Sequence, residues 1–342
     1  MTIRDMWVGR KVLLAALIVL VVPSVARAGQ AGKGPVKVFI LAGQSNMEGH
    51  GIIQMDPKRN EGKGSLEYLV KDPVTAKRYG HLIDDDGKWV VRDDVWIWYL
   101  GRQGGLTVGY GARGDRIGPE LQFGCVLGDY FDNQVLLIKT AWGGKSLAKD
   151  FRPPSSGGEV GPYYTKMKEH VKYVLSHLKE HFPGYDGRGY ELTGFGWHQG
   201  WNDRINQAFN DEYEKNLANF IRDVRKDLGV KGLPFVIAET GMHGHQETHP
   251  RALSLMRAQA AVANYEEFKA NVAFVGTKDF YRPKEVSPSG QGYHWNSNAE
   301  TYFLIGNAMG EAMIKLCEKR QERLACVRSD LDAIASREAT RP

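Results

Sequence analysis

Apolar residues along the chain follow two patterns that alternate. Short, near-continuous apolar runs lie at Val36–Ala42, Val95–Leu100, Val135–Thr140, Leu192–Trp197, Pro234–Glu239 and Val272–Gly276. Such runs suit strands covered on both faces. Between them, apolar positions recur at helical spacing over Pro119–Phe131, Pro162–His181, Asp211–Leu228, His249–Glu267 and Asn298–Arg320. Pro119 fits a first helical position, and Gly184 and Gly229 fit helix ends. Alternation of β and α on this scale predicts a parallel sheet with helices on both sides. Right-handed crossovers then bring the C-terminal end of every strand to one edge, where ligands bind.

Two stretches depart from the rhythm. Residues 50–118 are polar, rich in Gly and aromatics, and hold one clear strand; they predict an insertion that builds a rim over the strand ends. Residues 150–161 read as a second loop. The main domain is expected over 36–320, followed by a charged tail at 321–342. Residues 1–28 carry a basic start (Arg4, Arg10, Lys11), an uncharged run from Val12 to Val22, a Pro23 break and an Ala26-Arg27-Ala28 site. This order predicts a signal peptide cleaved after Ala28 and export to the periplasm or the extracellular space. Eleven apolar residues fall short of the ~20 needed to span a bilayer, so no membrane anchor is expected.

Charge adds little. The 342 residues carry a net +5; the leader removes four basic residues and one acidic residue, leaving +2. With charges mixed along the chain, nothing points to nucleic acid as a partner. The three cysteines, Cys125, Cys317 and Cys326, exclude a full disulfide framework. Cys317 and Cys326 can pair only if the segment bends, because nine helical residues rise ~13 Å and a disulfide needs Cα atoms within ~7 Å. His243, His245 and His249 follow the fifth strand without an evident fourth ligand; they read as a polar rim loop, and no metal is expected.

The candidate chemistry begins at the end of the first strand, in Gly43-Gln44-Ser45-Asn46-Met47. A serine past a strand and a glycine sits where the chain turns into a helix, with its hydroxyl at the sheet edge and its N–H at a helix start. Alone, it reads equally well as a helix cap. Three further segments shift the balance: Trp142-Gly143-Gly144 after the third strand, Trp197-His198-Gln199-Gly200-Trp201-Asn202-Asp203 at the end of the fourth, and Gly290–Asn296, with His294, before the last helix. Paired glycines free backbone N–H groups to point into a site, and a glutamine can donate to an oxyanion. A histidine before the last helix can reach back to the serine as its base.

These ordered blocks resemble the SGNH (GDSL-like) hydrolase superfamily, and within it the sialate O-acetylesterase-like branch that includes acetylxylan esterases of carbohydrate esterase family six. The resemblance spans about residues 36–315. It implies a flavodoxin-like three-layer α/β/α sandwich with a parallel sheet, Ser45 as nucleophile and His294 as general base. It also implies an oxyanion hole of Ser45 N–H, Gly143 or Gly144 N–H, and the Gln199 amide, with no cofactor. Two departures bear on the triad acid: Gln291 stands where many members carry aspartate, and Trp201 where many carry glutamate. Asp203 is the candidate replacement, with Asp279 as runner-up and a Ser–His dyad as the alternative. Trp142, Trp201 and Trp295 adjoin these residues and are expected to line the pocket, while Arg152 and Lys145 are candidates to meet a sugar carboxylate. The function expected is a secreted serine esterase that removes O-acetyl groups from a carbohydrate, such as acetylated xylan or sialic acid. The alternatives are a non-catalytic carbohydrate-binding protein on an esterase scaffold, or a deacylase of other small esters.

Overall fold

The computed structural model describes residues 34–339; the expected cleavage after Ala28 lies outside them. The strands are β1 (Val36–Gly43), β2 (Gly51–Ile52), β3 (Arg92–Tyr99), β4 (Arg102–Leu106), β5 (Arg116–Ile117), β6 (Val135–Ala141), β7 (Tyr190–His198), β8 (Phe235–Ala238) and β9 (Val272–Val275). The helices are α1 (Ser45–Glu48), α2 (Leu66–Lys71), α3 (Ala76–Tyr79), α4 (Glu120–Tyr130), α5 (Pro162–Ser176), α6 (Leu178–His181), α7 (Trp201–Arg204), α8 (Gln207–Asp227), α9 (Pro250–Ala263) and α10 (Ala299–Ala339).

Seven strands form one sheet in the order β4-β3-β6-β1-β7-β8-β9. All neighbours are parallel except β3 and β4. Strand β1 shows how the layers arise. Its side chains alternate between faces: Phe39 and Leu41 enter the apolar layer under α4 and α10, whereas Val38, Ile40 and Ala42 enter the layer under α5, α8 and α9. The helices present matching stripes. Tyr213, Leu217, Phe220, Ile221 and Val224 of α8 recur at helical spacing and are all buried, and Asn206 caps that helix by accepting the Phe209 N–H at 3.3 Å. This is the three-layer α/β/α sandwich expected from the sequence.

Three local features differ from expectation. Segment 50–118 is more than a rim, because besides the expected strand, which is β3, it contributes β4 to the sheet. The β3–β4 hairpin turns on Leu100 (φ 48°) and Gly101 (φ 87°), both left-handed as a tight two-residue turn requires. Helix Pro162–His181 is broken at His177, where the Ser176 hydroxyl and His177 Nδ1 compete for the Lys172 and Tyr173 carbonyls. Cys317 is a buried free thiol on the uninterrupted α10, so the conditional pairing with Cys326 does not arise.

The topology fixes where a ligand meets the sheet. Strand β1 lies between β6 and β7, and the chain winds to one side through β3 and β6 and to the other through β7, β8 and β9. The crevice outside the C-terminal ends of β6, β1 and β7 is therefore the switch point of an open α/β sheet.

Candidate active site

Ser45 opens α1 directly beyond β1. The turn into it requires glycine at position 43: a Cβ there would sit 2.2 Å from the His198 carbonyl oxygen, at φ 153°. Ser45 is 8% exposed, and its hydroxyl makes no hydrogen bond among the described residues. Its neighbours on each side clasp the other segments. Gln44 Oε1 accepts the Gly200 N–H (3.1 Å) and the Asn202 N–H (3.2 Å), and Gln44 Nε2 donates to Asn202 Oδ1 (3.1 Å). Asn46 Nδ2 donates to the Tyr293 carbonyl (3.0 Å), and Tyr302 Oη donates to Asn46 Oδ1 (2.9 Å) while lying 3.3 Å from the His294 carbonyl. The Trp142 N–H donates to the Gly43 carbonyl (3.2 Å), and a Cβ on Gly143 would stand 3.9 Å from Ser45 Cβ. The segments at 43–47, 142–144, 199–202 and 293–294 thus meet around one serine.

His294 is half-buried. Its ring lies flat on His50, with centroids 3.7 Å apart and planes 10° off parallel. Burial lowers its pKa from 6.5 to about 4, and no carboxylate offsets the shift. His50, half-buried and beside His294, is lowered to about 3, chiefly by desolvation. Both rings are neutral near pH 7, which suits proton acceptance. The backbone beyond His294 is wound left-handed at Trp295, Asn296 and Ser297 (φ 52°, 54° and 57°), a conformation that costs energy for each residue with a Cβ. Asn296 Nδ2 holds it by donating to the Arg282 carbonyl at 3.0 Å. No hydrogen bond joins the Ser45 hydroxyl to His294; such contacts often close only with substrate bound.

Several expected site residues are placed elsewhere. Asp203 is fully buried and accepts the Leu147 and Ala148 N–H groups (2.8 Å each) and Gln199 Nε2 (2.6 Å). Its carboxylate anchors the loop after β6, is pushed up to about 7 by burial, and does not reach His294. Asp279 is exposed and pairs with His245 Nε2 at 2.7 Å. Neither aspartate hydrogen-bonds His294, and neither does any other carboxylate among the described residues. Gln199 is corrected too: it is fully buried, and its amide N–H groups go to the Lys145 carbonyl (3.0 Å) and Asp203. It braces two loops and has no free donor for an oxyanion. The Gly143 N–H is turned to the Glu48 carboxylate. The Ser45 and Gly144 N–H groups remain without an acceptor among the described residues, and Asn202 Nδ2 secures the Gly144 peptide by donating to its carbonyl at 2.7 Å.

Arg152 is spent on structure: it bonds Glu212 (2.7 Å) and the carbonyls of Ala148, Ser156 and Gly157. Lys145 lies over the Tyr163 ring and 3.4 Å from Asp150. Trp295 is a core residue with no exposure, and Trp142 wedges against Tyr163 and His170. Of the three tryptophans, Trp201 stands at the rim, facing Tyr293 at 5.7 Å. The histidines after β8 are separately engaged: His243 pairs with Glu247 (3.0 Å), His245 with Asp279, and His249 Nδ1 accepts the Arg251 N–H. Among the described residues no cluster of three or more His, Cys, Asp or Glu side chains is arranged to hold a metal.

A strand-end serine, a neutral histidine and free backbone N–H groups at the switch point of a parallel sheet are the equipment of an α/β esterase. Residues 35–315 match the family described as carbohydrate esterase, sialic acid-specific acetylesterase, and the chain belongs to that family. Among solved structures it is similar to a protein from Arabidopsis thaliana (TM-score 0.54, 16% identity, covering 82% of this chain and 98% of that one). It is also similar to a carbohydrate acetylesterase from Xanthomonas citri (TM-score 0.50, 14% identity, covering 82% of this chain and 56% of that one). No curated protein sequence matches significantly.

Proposed function

We propose that the protein is a serine esterase that removes O-acetyl groups from a carbohydrate through an acetyl-enzyme. The observation that carries this reading is the clasp of Gln44 and Asn46, which gathers the β7-end and histidine segments about Ser45, while Gly43 and Asn202 tie in the loop at 142–144. Ser45 Oγ attacks the acetyl carbonyl as His294 takes its proton, and the tetrahedral oxyanion is met by the Ser45 and Gly144 N–H groups. The bond to the sugar oxygen breaks and that oxygen receives the proton from His294. Water, deprotonated by His294, then releases acetate. His50, stacked on the imidazole, fixes its plane in place of a carboxylate, which makes the pair a dyad. We further propose that the protein is exported after cleavage following Ala28.

Incubation with acetylated xylan and with O-acetylated sialic acid, followed by acetate release, tests the activity; release from neither overturns it. A fluorophosphonate probe should label Ser45. The missing triad acid favours one second reading, a sugar-binding protein on an esterase scaffold, and an unlabelled Ser45 would support it.

The pH dependence is distinctive. Catalysis requires neutral His294, so kcat/KM falls as pH drops through the histidine's pKa. The acid limb should have its midpoint near 4, well below the ordinary 6.5. A midpoint at or above 6.5 in a pH–rate profile would show that a carboxylate reaches the imidazole in the working enzyme.

A further inference from the structure

The carboxylate of Glu48 stands beside the nucleophile without a role in the mechanism above. Ser45 and Glu48 begin and end α1, three residues apart, so their side chains leave the same face of one turn. Glu48 is half-buried, and burial, the largest influence on its carboxyl, raises the pKa. No ion pair closes on it among the described residues. The two cations that act on it are committed elsewhere: Lys139 to the Glu120 carboxylate and to the Glu48 and Tyr110 carbonyls, and Arg102 to the Gly109 and Gly111 carbonyls. Tyr99 Oη lies 3.3 Å from Glu48 Oε1 and is equally close to the Ala141 carbonyl. A carboxyl whose pKa is raised on folding destabilises the fold wherever the pH exceeds that pKa. Glu48 therefore contributes little to stability, and its place calls for an account at the site itself.

Glu48 occupies a donor. Gly143 and Gly144 belong to the loop after β6, and they are not equivalent. A Cβ on Gly143 would stand 3.9 Å from Ser45 Cβ and 3.1 Å from Glu48 Oε2, whereas a Cβ on Gly144 would meet nothing within 4 Å. Gly143 thus adjoins both the nucleophile and the carboxylate, and its N–H is given to Glu48. An oxyanion formed beside Ser45 needs N–H groups aimed at it. Of the two loop donors, the one next to the serine is turned to a side chain instead. That side chain also brings a negative charge close to where another must develop, and like charges repel strongly at such range.

We propose that Glu48 latches the oxyanion loop: its carboxylate holds the Gly143 N–H, and turnover reaches full speed only when that N–H is released to the oxyanion as a third donor. The effect on rate rests on the esterase reading above; the hydrogen bond itself does not. Withdrawal of the carboxylate strands no other group. Tyr99 Oη keeps the Ala141 carbonyl, and Lys139 and Arg102 keep the carbonyls that hold them.

The test has two arms on the full-length protein. In the first, wild type, Glu48→Gln and Glu48→Ala labelled with ¹⁵N-glycine are compared by NMR. The Gly143 amide proton should move upfield when the carboxylate is removed, and the Gly144 amide proton should move little. In the second arm, acetate release from an acetylated sugar is followed at neutral pH. Glu48→Ala should raise kcat about tenfold or more with KM little changed, because one oxyanion donor is typically worth ~10²–10³ and acts only in the transition state. Glu48→Gln removes the charge but keeps an acceptor, so its rise should be smaller. A side chain that merely braced the loop would give the opposite sign. A fall in kcat in both variants, or no change, therefore overturns the latch, and so does a Gly143 resonance that ignores both substitutions. If neither wild type nor variants release acetate and none takes up a fluorophosphonate at Ser45, the esterase reading fails. The Gly143 resonance alone then decides whether Glu48 holds that N–H.

Discussion

Ser45→Ala should abolish acetate release, lowering kcat by about 10⁴-fold or more while leaving the fold intact. The two halves of this expectation have separate causes. The loss follows because the other hydroxyl at the junction, that of the fully buried Tyr302, is committed to Asn46 Oδ1 and cannot stand in for serine, so what survives is the stabilisation that the backbone donors give to direct attack by water. The intact fold follows because the Ser45 hydroxyl makes no hydrogen bond among the described residues, so its removal orphans no buried partner. The measurement is single-substrate kinetics on an acetylated sugar, run beside thermal unfolding of both proteins. Activity within tenfold of wild type, with an unchanged melting temperature, would remove Ser45 from the mechanism. A variant that loses activity and melts well below wild type would instead assign the serine a structural part.

How far the sequence carried depends on whether a feature is local. The six parallel strands were legible because burial on both faces leaves a short unbroken apolar run, as in Val135–Thr140. Strand β4 was hidden. Its Arg-Gln-Gly-Gly-Leu has no β-forming core, and it is a strand because the Leu100–Gly101 turn folds it back on β3. At the site, Ser45 and His294 were legible because each sits at a strand end or before the last helix in a glycine-rich segment. The motif reading went astray where a residue type fitted a role but its surroundings had already claimed it. Gln199 has the right amide, yet Lys145 and Asp203 take both N–H groups. Asp203 has the right charge, yet two backbone N–H groups and Gln199 surround it. Trp295 follows His294 immediately, yet the left-handed turn beginning at Trp295 drives its ring into the core.

The residues that sequence reasoning missed share one property: their function is a distant contact. His50 matters because His294 stacks on it, and Glu48 because Gly143 turns to it. Only the clasp left a trace. Gln44 and Asn46 flank the serine as two amides, and an amide both donates and accepts, which is what tying several backbones together demands. Buried amides on either side of a strand-end serine are therefore a signal that could have been read as a scaffold for the site.

Lys139→Met should destabilise the protein by ~3–5 kcal/mol, the range found when one partner of a buried ion pair is removed. Lys139 and Glu120 are both without solvent exposure and lie 2.8 Å apart. Burial pushes the lysine down and the glutamate up, while their mutual attraction opposes both shifts. The geometry favours the charged pair, since all three ammonium protons find acceptors: Glu120 Oε2, the Glu48 carbonyl (2.6 Å) and the Tyr110 carbonyl (2.8 Å). Methionine has similar bulk but leaves the Glu120 carboxylate with the Gly118 N–H as its remaining strong donor. The double variant Lys139→Met/Glu120→Gln should recover much of the loss, because it removes the stranded charge as well as the attraction. Urea unfolding of the wild type, the single and the double variant reads this as midpoint shifts at a constant slope. A functional effect should accompany the loss. The Glu48 carbonyl is at the end of α1, the turn that Ser45 begins, and Tyr110 belongs to the segment between β4 and β5. One ammonium therefore fastens the helix that Ser45 begins to that segment. Where enough folded protein remains to assay, kcat should fall in the single variant and should stay below wild type in the double, since the double restores charge balance but not the two carbonyl contacts. An unchanged unfolding midpoint in Lys139→Met would mean that the pair is neutral in the folded protein and that the helix is held by packing alone.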